Sequence, residues 1–390
     1  MTGLAEVLKC AIPVIQAPMA GISTVKMAAE VTTAGALGSL PFGSHDLSKS
    51  IASIQKTVAE YKSLIDVEAE QVKGDRLRVN LNFFYHDIYK PPTEKQQQTW
   101  FDAYRDYQPN RDKVSFANGN VSFKELEENA PLLCDFYEWL QDEKPAMLSF
   151  HFGCPPKEVI SQLQRTSVVM VTVTNIDEAY EAFGVGVDGV VVQGWEAGGH
   201  RGTFMSESEK RQSTWELFTS VKPIFKDRYV VPAGGIVTVD DVQRFIDAGA
   251  DMVQMGTAFL LCPESNSNAY IRTQLDRRLP TQMVSFISGK PARCVATPFI
   301  ESLQVKSGHL DVPYGYMYSA YKSWVGDVKN PEYAFYLAGD KWRLAENGVP
   351  AADIAKKFSH IDVKKETANL KRSYNEVAQS SEDPQNQKDN

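Results

Sequence analysis

Residues 184–203, GVGVDGVVVQGWEAGGHRGT, are the stretch that decides the fold. Residues 187–192 form a Val-rich run bounded by glycines, which is typical of a strand buried on both faces of a sheet. The loop that follows places four glycines and His200 within nine residues. Parallel α/β proteins position their chemistry where a buried strand ends in a loop whose backbone can approach a ligand. The alternative is a tight connecting loop in which His200 is merely solvated.

Similar short apolar runs recur along the chain and are separated by segments with a helical period. Strands that alternate with helices predict parallel βα units, and eight such units close a (β/α)8 barrel, the TIM barrel. We therefore predict an α/β TIM barrel with an additional helical subdomain. The predicted strands are residues 12–16, 36–40, 77–81, 147–150, 168–173, 187–192, 229–231 and 252–255.

Two segments exceed what a bare barrel needs. Residues 91–144 separate the third and fourth strands by an unusually long connection, and a further stretch with helical patterns covers 264–375. We predict that these segments form a helical subdomain beside the barrel mouth, while 1–90 and 145–263 form the barrel. The polar tail, residues 376–390, has the composition of a disordered segment.

Composition limits the classes of partner. The net charge of −8 and the absence of a basic stripe argue against nucleic acid. Five widely spaced cysteines without a CxxC pair favour a reducing compartment, and no set of residues has the spacing of a metal site. No apolar run approaches the ~18 residues of a membrane span, and the N-terminus does not resemble a signal peptide. We expect a cytoplasmic monomer or homodimer.

The loops after the seventh and eighth predicted strands each contain a pair of residues whose backbone can bind a phosphate. Gly234 and Gly235 follow one strand, and Gly256 and Thr257 follow the next. Backbone N–H groups of such residues converge on phosphates, and these two loops are the usual phosphate site of the barrel. The alternative is that these glycines only serve turns.

Three polar residues in or after strands remain ambiguous on residue type alone. Asn80 and Gln193 are either satisfied core amides or groups that bond a planar heterocycle. His151 is either a packed loop residue or, because it ends a strand as His200 does, a second histidine facing the same pocket.

Six motifs, in order along the chain, resemble those of the nitronate monooxygenases, formerly called 2-nitropropane dioxygenases, of the class I type. The resemblance implies an FMN-dependent TIM-barrel enzyme. It departs at residues 337–340, Leu-Ala-Gly-Asp, where the family usually has Trp-Ala-Gly-Gln. The motifs are IQAPMAGIST, LRVNLNFF, SFHFG, GWEAGGHRG, PAGGIVTVDD and DMVQMGTAFL.

The same resemblance implies roles for individual residues. His200 matches the catalytic base and His151 a second active-site histidine. The residues that would lie along the reactive edge of FMN or hold its ring and phosphate are Pro18, Met19, Ala20, Gly21, Asn80, Gln193, Gly198, Gly235, Gln254, Met255, Gly256 and Thr257.

The implied reaction is the oxidation of alkyl nitronates by O2 to a carbonyl compound and nitrite. Propionate 3-nitronate is the expected substrate, neutral nitroalkanes would first lose a proton to His200, and the role would be detoxification. Lys290 and Arg293 are candidates to pair with the substrate carboxylate. The alternatives are an NAD(P)H-dependent FMN reductase of quinones or enoyl thioesters on the same barrel, and a non-catalytic flavin-binding or phosphate-binding protein.

Overall fold

The computed structural model describes residues 3–66, 71–72, 76–119, 121–205, 211–277, 279–307 and 310–361. The tail 376–390, predicted from composition to be disordered, lies outside the described residues. Within the described residues, no helix has both the length and the apolar character that crossing a membrane requires.

Eight parallel strands form the barrel; from β2 to β10 each pairs with the next barrel strand along the chain, and β10 pairs with β1. The TIM-barrel prediction is confirmed, since every predicted strand overlaps an observed one. The barrel strands are β1 Val14–Gln16, β2 Ser39–Pro41, β4 Arg76–Phe84, β5 Pro145–His151, β6 Val168–Val173, β7 Gly189–Gln193, β9 Tyr229–Ala233 and β10 Val253–Met255, and the remaining strands are β3 Gln71–Val72, β8 Gly199–His200, β11 Thr281–Val284 and β12 Ala292–Val295.

Main-chain bonds between the first strand and the residues just before the second close the barrel. Ile15 and Leu37 form a parallel bridge, and the amide of Leu37 donates to the carbonyl oxygen of Val14. Alternation along each strand then separates two cores. Val191 packs inside the barrel, whereas its neighbours Val190 and Val192 pack outward against the helices.

Helices cover the outer face of the barrel. Leu4 of helix α1 and Leu8, which follows the helix, join the interior cluster and close the amino-terminal end of the barrel. The helices are α1 Leu4–Val7, α2 Val25–Thr33, α3 Ala52–Ser63, α4 Glu94–Ala103, α5 Phe123–Glu127, α6 Ala130–Glu143, α7 Lys157–Leu163, α8 Ile176–Val185, α9 Thr214–Val221, α10 Val239–Asp247, α11 Ala269–Arg277, α12 Pro298–Ser307, α13 Tyr316–Val328 and α14 Ala351–Lys356.

The two segments outside the bare barrel meet in one hydrophobic cluster. Trp100 and Tyr104, from the insertion after β4, pack with Phe299 and Trp324, from the C-terminal part. This subdomain also contains an antiparallel sheet, because β12 pairs with both β11 and β8.

Parts of both predicted subdomain segments belong structurally to the barrel. Phe136 and Leu140 of α6 pack in the outer barrel core, so α6 is the crossover helix between β4 and β5. Helix α14 contributes Ile354 to the same core and packs against α2. The chain therefore leaves the barrel after β10, builds the subdomain over the mouth and returns to the helical ring.

The approach of β2 to α2 depends on a missing side chain at Gly38. A Cβ at this position would overlap the carbonyl oxygen of Ala28. We predict that Gly38→Ala lowers the free energy of unfolding by about 1–3 kcal/mol, because backbone must shift in a packed core. Gly184→Ala is the matched control, since nothing lies within 4 Å of its Cβ and its helical position gains about 0.5–1 kcal/mol. Denaturant unfolding of both variants measures the difference; equal stabilities would contradict it.

Candidate active site

A cavity of about 320 Å³ lies at the carboxyl ends of the barrel strands. Loops that follow the strands form its walls, and residues of the C-terminal subdomain complete them. Most of the site residues proposed from the sequence come together here. Those that line the cavity are Pro18, Met19, Ala20, Gly21, His151, Gln193, Gly198, His200, Gly234, Gly235, Gln254, Gly256 and Thr257.

Asn80 lies outside this lining. It is fully buried, and its Nδ2 donates to Oγ of Ser39 at 2.9 Å. Asn82, two residues further along the same face of β4, lines the cavity and donates to Oγ of Ser149 at 2.9 Å. Oδ1 of Asn80 has no hydrogen-bond partner among the described residues, and its assignment to the flavin ring stays a prediction. The period of two along a strand identifies Asn82 as the alternative, but it does not say which layer reaches the cavity.

Met255 and Arg293 also face away from the cavity. Met255 packs in the outer core, while its neighbour Gln254 lines the cavity, as alternation along a strand requires. Nε and Nη2 of Arg293 donate to the carbonyl oxygen of Trp195 at 3.0 and 2.8 Å. Arg293 therefore holds the loop after β7 onto β12, and its side chain does not line the cavity. Lys290 lines a separate, adjoining pocket.

Main-chain pairing fixes the position of His200. Strand β8 pairs with β12, with His200 opposite Ala292. Gly198 makes a second close approach possible, because a Cβ there would overlap the amide nitrogen of Gly339. The glycines of the loop thus let two backbone segments of the C-terminal subdomain pack against it.

The carbonyl oxygen of His200 connects the two other polar residues predicted for the site. It accepts a hydrogen bond from Nε2 of Gln193 at 3.0 Å, and Nε2 of His151 lies 3.2 Å from it. Oε1 of Gln193 accepts from the amide of Gly202 at 2.9 Å. Both ends of the Gln193 amide therefore hold the loop. The guanidinium of Arg201, only 2% exposed, adds bonds from Nη1 to the carbonyl oxygens of residues 193 and 194.

Both histidines are neutral at physiological pH. Burial lowers the pKa of His200 to about 3, and the nearby His151 and the ammonium groups of Lys290 and Lys322 add to the effect. Burial likewise lowers the pKa of His151 to about 4, although its contact with the His200 carbonyl oxygen opposes the shift. A neutral imidazole has one unprotonated nitrogen, which can accept a proton.

Main-chain atoms form the wall of the cavity on the side of the loops that follow β9 and β10. Gly234 and Gly235 have φ of 114° and 65°, in the region that favours glycine, so the turn after β9 brings main chain to the cavity wall. Oγ1 of Thr257 accepts from the amide of Gly339 at 3.0 Å, which closes this part from the C-terminal side. Lys341 also lines the wall and is paired with Asp241.

Sequence reasoning missed the residues that the C-terminal subdomain contributes. Tyr314, Tyr318 and Lys322 line the cavity, and the two tyrosine rings each lie 5.6 Å from the ring of His200. Tyr318 and Lys322 are four residues apart and therefore share one face of α13, whereas Tyr314 precedes the helix. That spacing was the available signal, but a core stripe has the same period.

Known proteins with similar sequences belong to one enzyme family. The family model described as nitronate monooxygenase matches residues 2–360. The chain belongs to the nitronate monooxygenase family. A putative nitronate monooxygenase of Saccharomyces cerevisiae is 39% identical over 360 residues, which cover 86% of this chain and 87% of the yeast protein. The nitronate monooxygenase of Pseudomonas aeruginosa is 35% identical over 289 residues, covering 72% and 76% of the two chains.

Solved structures give the same picture for the fold. Nitroalkane oxidase from Streptomyces ansochromogenes has a TM-score of 0.74 and 26% sequence identity, over 90% of this chain and 95% of that one. FabK from Thermotoga maritima, at a TM-score of 0.63 and 20% identity, shares the fold. Membership of the nitronate monooxygenase family confirms the resemblance seen in the sequence motifs, and the protein is an oxidoreductase enzyme.

The lowered pKa values predict how stability depends on pH. Above pH 6.5 both histidines are neutral whether folded or unfolded. Below it the unfolded chain binds protons that the folded site rejects down to about pH 4, so stability falls with pH by up to about 1.4 kcal/mol per unit for each histidine. His200→Asn should remove one such contribution, which denaturant unfolding between pH 6.5 and 5 measures. The exposed His360→Asn is the control, and parallel slopes for all three proteins would contradict the prediction.

Proposed function

We propose that this nitronate monooxygenase family member uses FMN to oxidise alkyl nitronates with O2, giving a carbonyl compound and nitrite. Propionate 3-nitronate, a toxic carboxylate, is the proposed physiological substrate, and its removal is the proposed role. The observation that carries the proposal is the neutral His200 at the wall of a cavity that also contains the ammonium of Lys322. A base beside a cation suits a substrate that becomes an anion on losing a proton.

The residues present are compatible with FMN. Backbone at Gly234, Gly235 and Gly256 lines one part of the cavity, where a phosphate can approach main chain without meeting a Cβ. Met19 and Asn82 also line the cavity and would hold the ring. FMN, when bound, accepts the electrons that the nitronate loses.

His200 would act on nitroalkanes by removing the α-proton. Its Nε2 lies 2.9 Å from Oγ of Ser288, and that hydroxyl donates to the carbonyl oxygen of Lys290 at 3.1 Å. This arrangement favours the tautomer in which Nε2 donates to Ser288 and Nδ1 carries the lone pair. His151 would support the base by orienting its main chain. A preformed nitronate needs no proton removal and would only be bound and oriented.

The overall reaction balances without another reductant. Two nitronate anions and one O2 contain the atoms and charge of two carbonyl molecules and two nitrite anions. The chain's share is to bind the anion, exclude water and hold the reacting carbon in place. The aromatic rings of Tyr314, Tyr318 and Phe152 lie within 6.1 Å of the His200 ring and supply the apolar wall.

Substitution of His200 separates proton removal from oxidation. We predict that His200→Asn lowers kcat/KM for neutral nitroalkanes by about 10²–10⁴, the usual contribution of a general base, and that for preformed nitronates far less. Oxygen uptake measures both, with the visible flavin spectrum as the check that cofactor is retained. Equal losses on the two substrate forms would sink the role of His200 as base. His360→Asn is the matched histidine control.

A parallel assay decides between the oxidase chemistry and the reductase alternative. We expect the purified protein to consume O2 and release nitrite with propionate 3-nitronate, and to be indifferent to NADH or NADPH. Flavin bleaching by NADH without nitronate turnover would instead make the protein a reductase. Oxygen electrode traces and nitrite determination on the same sample give the answer.

A further inference from the structure

A second pocket of about 190 Å³ adjoins the active-site cavity. Its lining includes Tyr89 and Lys124 towards the outside and Lys290 on the inner side. Phe152 lines both pockets, so one aromatic side chain forms the wall between them. None of the residues proposed to hold FMN belongs to this second pocket, which we call the side pocket.

Phe152 is held in this wall in a conformation that costs energy. Its φ is 73°, which is rare for a bulky side chain and persists only where the surroundings enforce it. Its ring centroid lies 4.4 Å from that of His151 and 6.1 Å from that of His200. Lys290 Nζ lies 4.9 Å from the same ring, so only a phenyl ring intervenes between the ammonium and the catalytic histidines.

The ammonium of Lys290 is partly buried and rests on aromatic faces, over Phe152 and, at 5.6 Å, over Tyr314. Burial lowers its pKa, with Asp87 and Glu178 opposing the shift. Neither carboxylate is available as a partner within the described structure. Asp87 is paired with Lys124, and Glu178 accepts bonds from Thr174 and from the amides of residues 204 and 205.

A cation removed from water without a carboxylate partner is costly unless a ligand compensates it. Lys290 and Lys124 with Asp87 leave the side pocket with one net positive charge. That charge is matched by a monovalent anion and not by a phosphate dianion.

We propose that the side pocket binds a small monovalent oxyanion, a carboxylate or nitrite, on the Lys290 ammonium. The inference rests on the proposed function, for which it supplies a second recognition point. The oxyanion has two possible sources: the carboxylate tail of the nitronate substrate, or free nitrite produced by the reaction. With a carboxylated nitronate, the nitronate end lies beside His200 and Lys322, and the tail reaches Lys290 when the Phe152 ring moves aside from the wall between the two pockets.

A matched pair of substrates tests the first source. Propionate 3-nitronate and propane-1-nitronate have the same carbon chain, and only the former has a carboxylate. Lys290→Met retains the apolar stem, and we expect it to lower the ratio of kcat/KM for the carboxylated over the neutral nitronate by about 10- to 100-fold. Lys290→Arg should restore most of the ratio, and the exposed Lys226→Met should leave it unchanged. Because both substrates are preformed nitronates, changes in the basicity of the histidines cancel.

Nitrite inhibition tests the second source. With propane-1-nitronate as substrate, a nitrite inhibition constant that rises in Lys290→Met, at an unchanged substrate ratio, identifies free nitrite as the occupant. A folded Lys290→Met protein with wild-type substrate ratio and wild-type nitrite sensitivity overturns the proposal.

Calorimetric binding of propionate separates this proposal from the proposed function. If the wild-type protein oxidises neither nitronate, the proposed function fails, but propionate binding that is lost in Lys290→Met still supports the oxyanion site. If both nitronates are oxidised while propionate binds wild type and Lys290→Met equally, the oxyanion site fails and the proposed function stands.

Discussion

The hydrogen bonds to the carbonyl oxygen of His200 are the constraint on which the site depends. Gln193 donates to this oxygen from the end of β7, and His151 contacts it from the end of β5. The same residue pairs through its main chain with Ala292 of β12. Two barrel strands and the subdomain sheet therefore meet at one peptide unit. A displacement of any of the three would move the imidazole. The polar groups of Gln193 and His151 therefore act first to hold the main chain of His200 in place.

The electrostatic potential of the site is set by two lysine ammonium groups that lie close to neutral imidazoles. Lys290 and Lys322 both act to lower the pKa of His200, in addition to burial. The cavity therefore disfavours protonation of the base in the free protein and favours an anion beside it. These two effects are complementary for a reaction in which a neutral acid becomes an anion. Lys322 lines the main cavity and Lys290 the side pocket on the other side of Phe152, so negative charge is favoured in two separate places.

The C-terminal subdomain is part of the site because it provides walls that the barrel strands cannot. Tyr318 and Lys322 from α13 face the histidines, and Gly339 bonds to Thr257 at the opposite part of the cavity. Helix α14 then returns to the barrel and packs on α2. The subdomain is therefore joined to the barrel both at the cavity wall and through α14.

The sequence by itself determined the eight strands, the position of the active face and most of the residues that line the cavity. Val-rich runs and glycine-rich loops are local signals, and the geometry of a closed parallel barrel brings their ends together. The tertiary structure alone decided which layer of β4 reaches the cavity: Asn82 lines it and Asn80 does not. It also turned Arg293 to the carbonyl oxygen of Trp195 and separated Lys290 from the main cavity by the ring of Phe152. Such choices depend on packing between segments far apart in the chain, and local residue type and spacing do not contain that information.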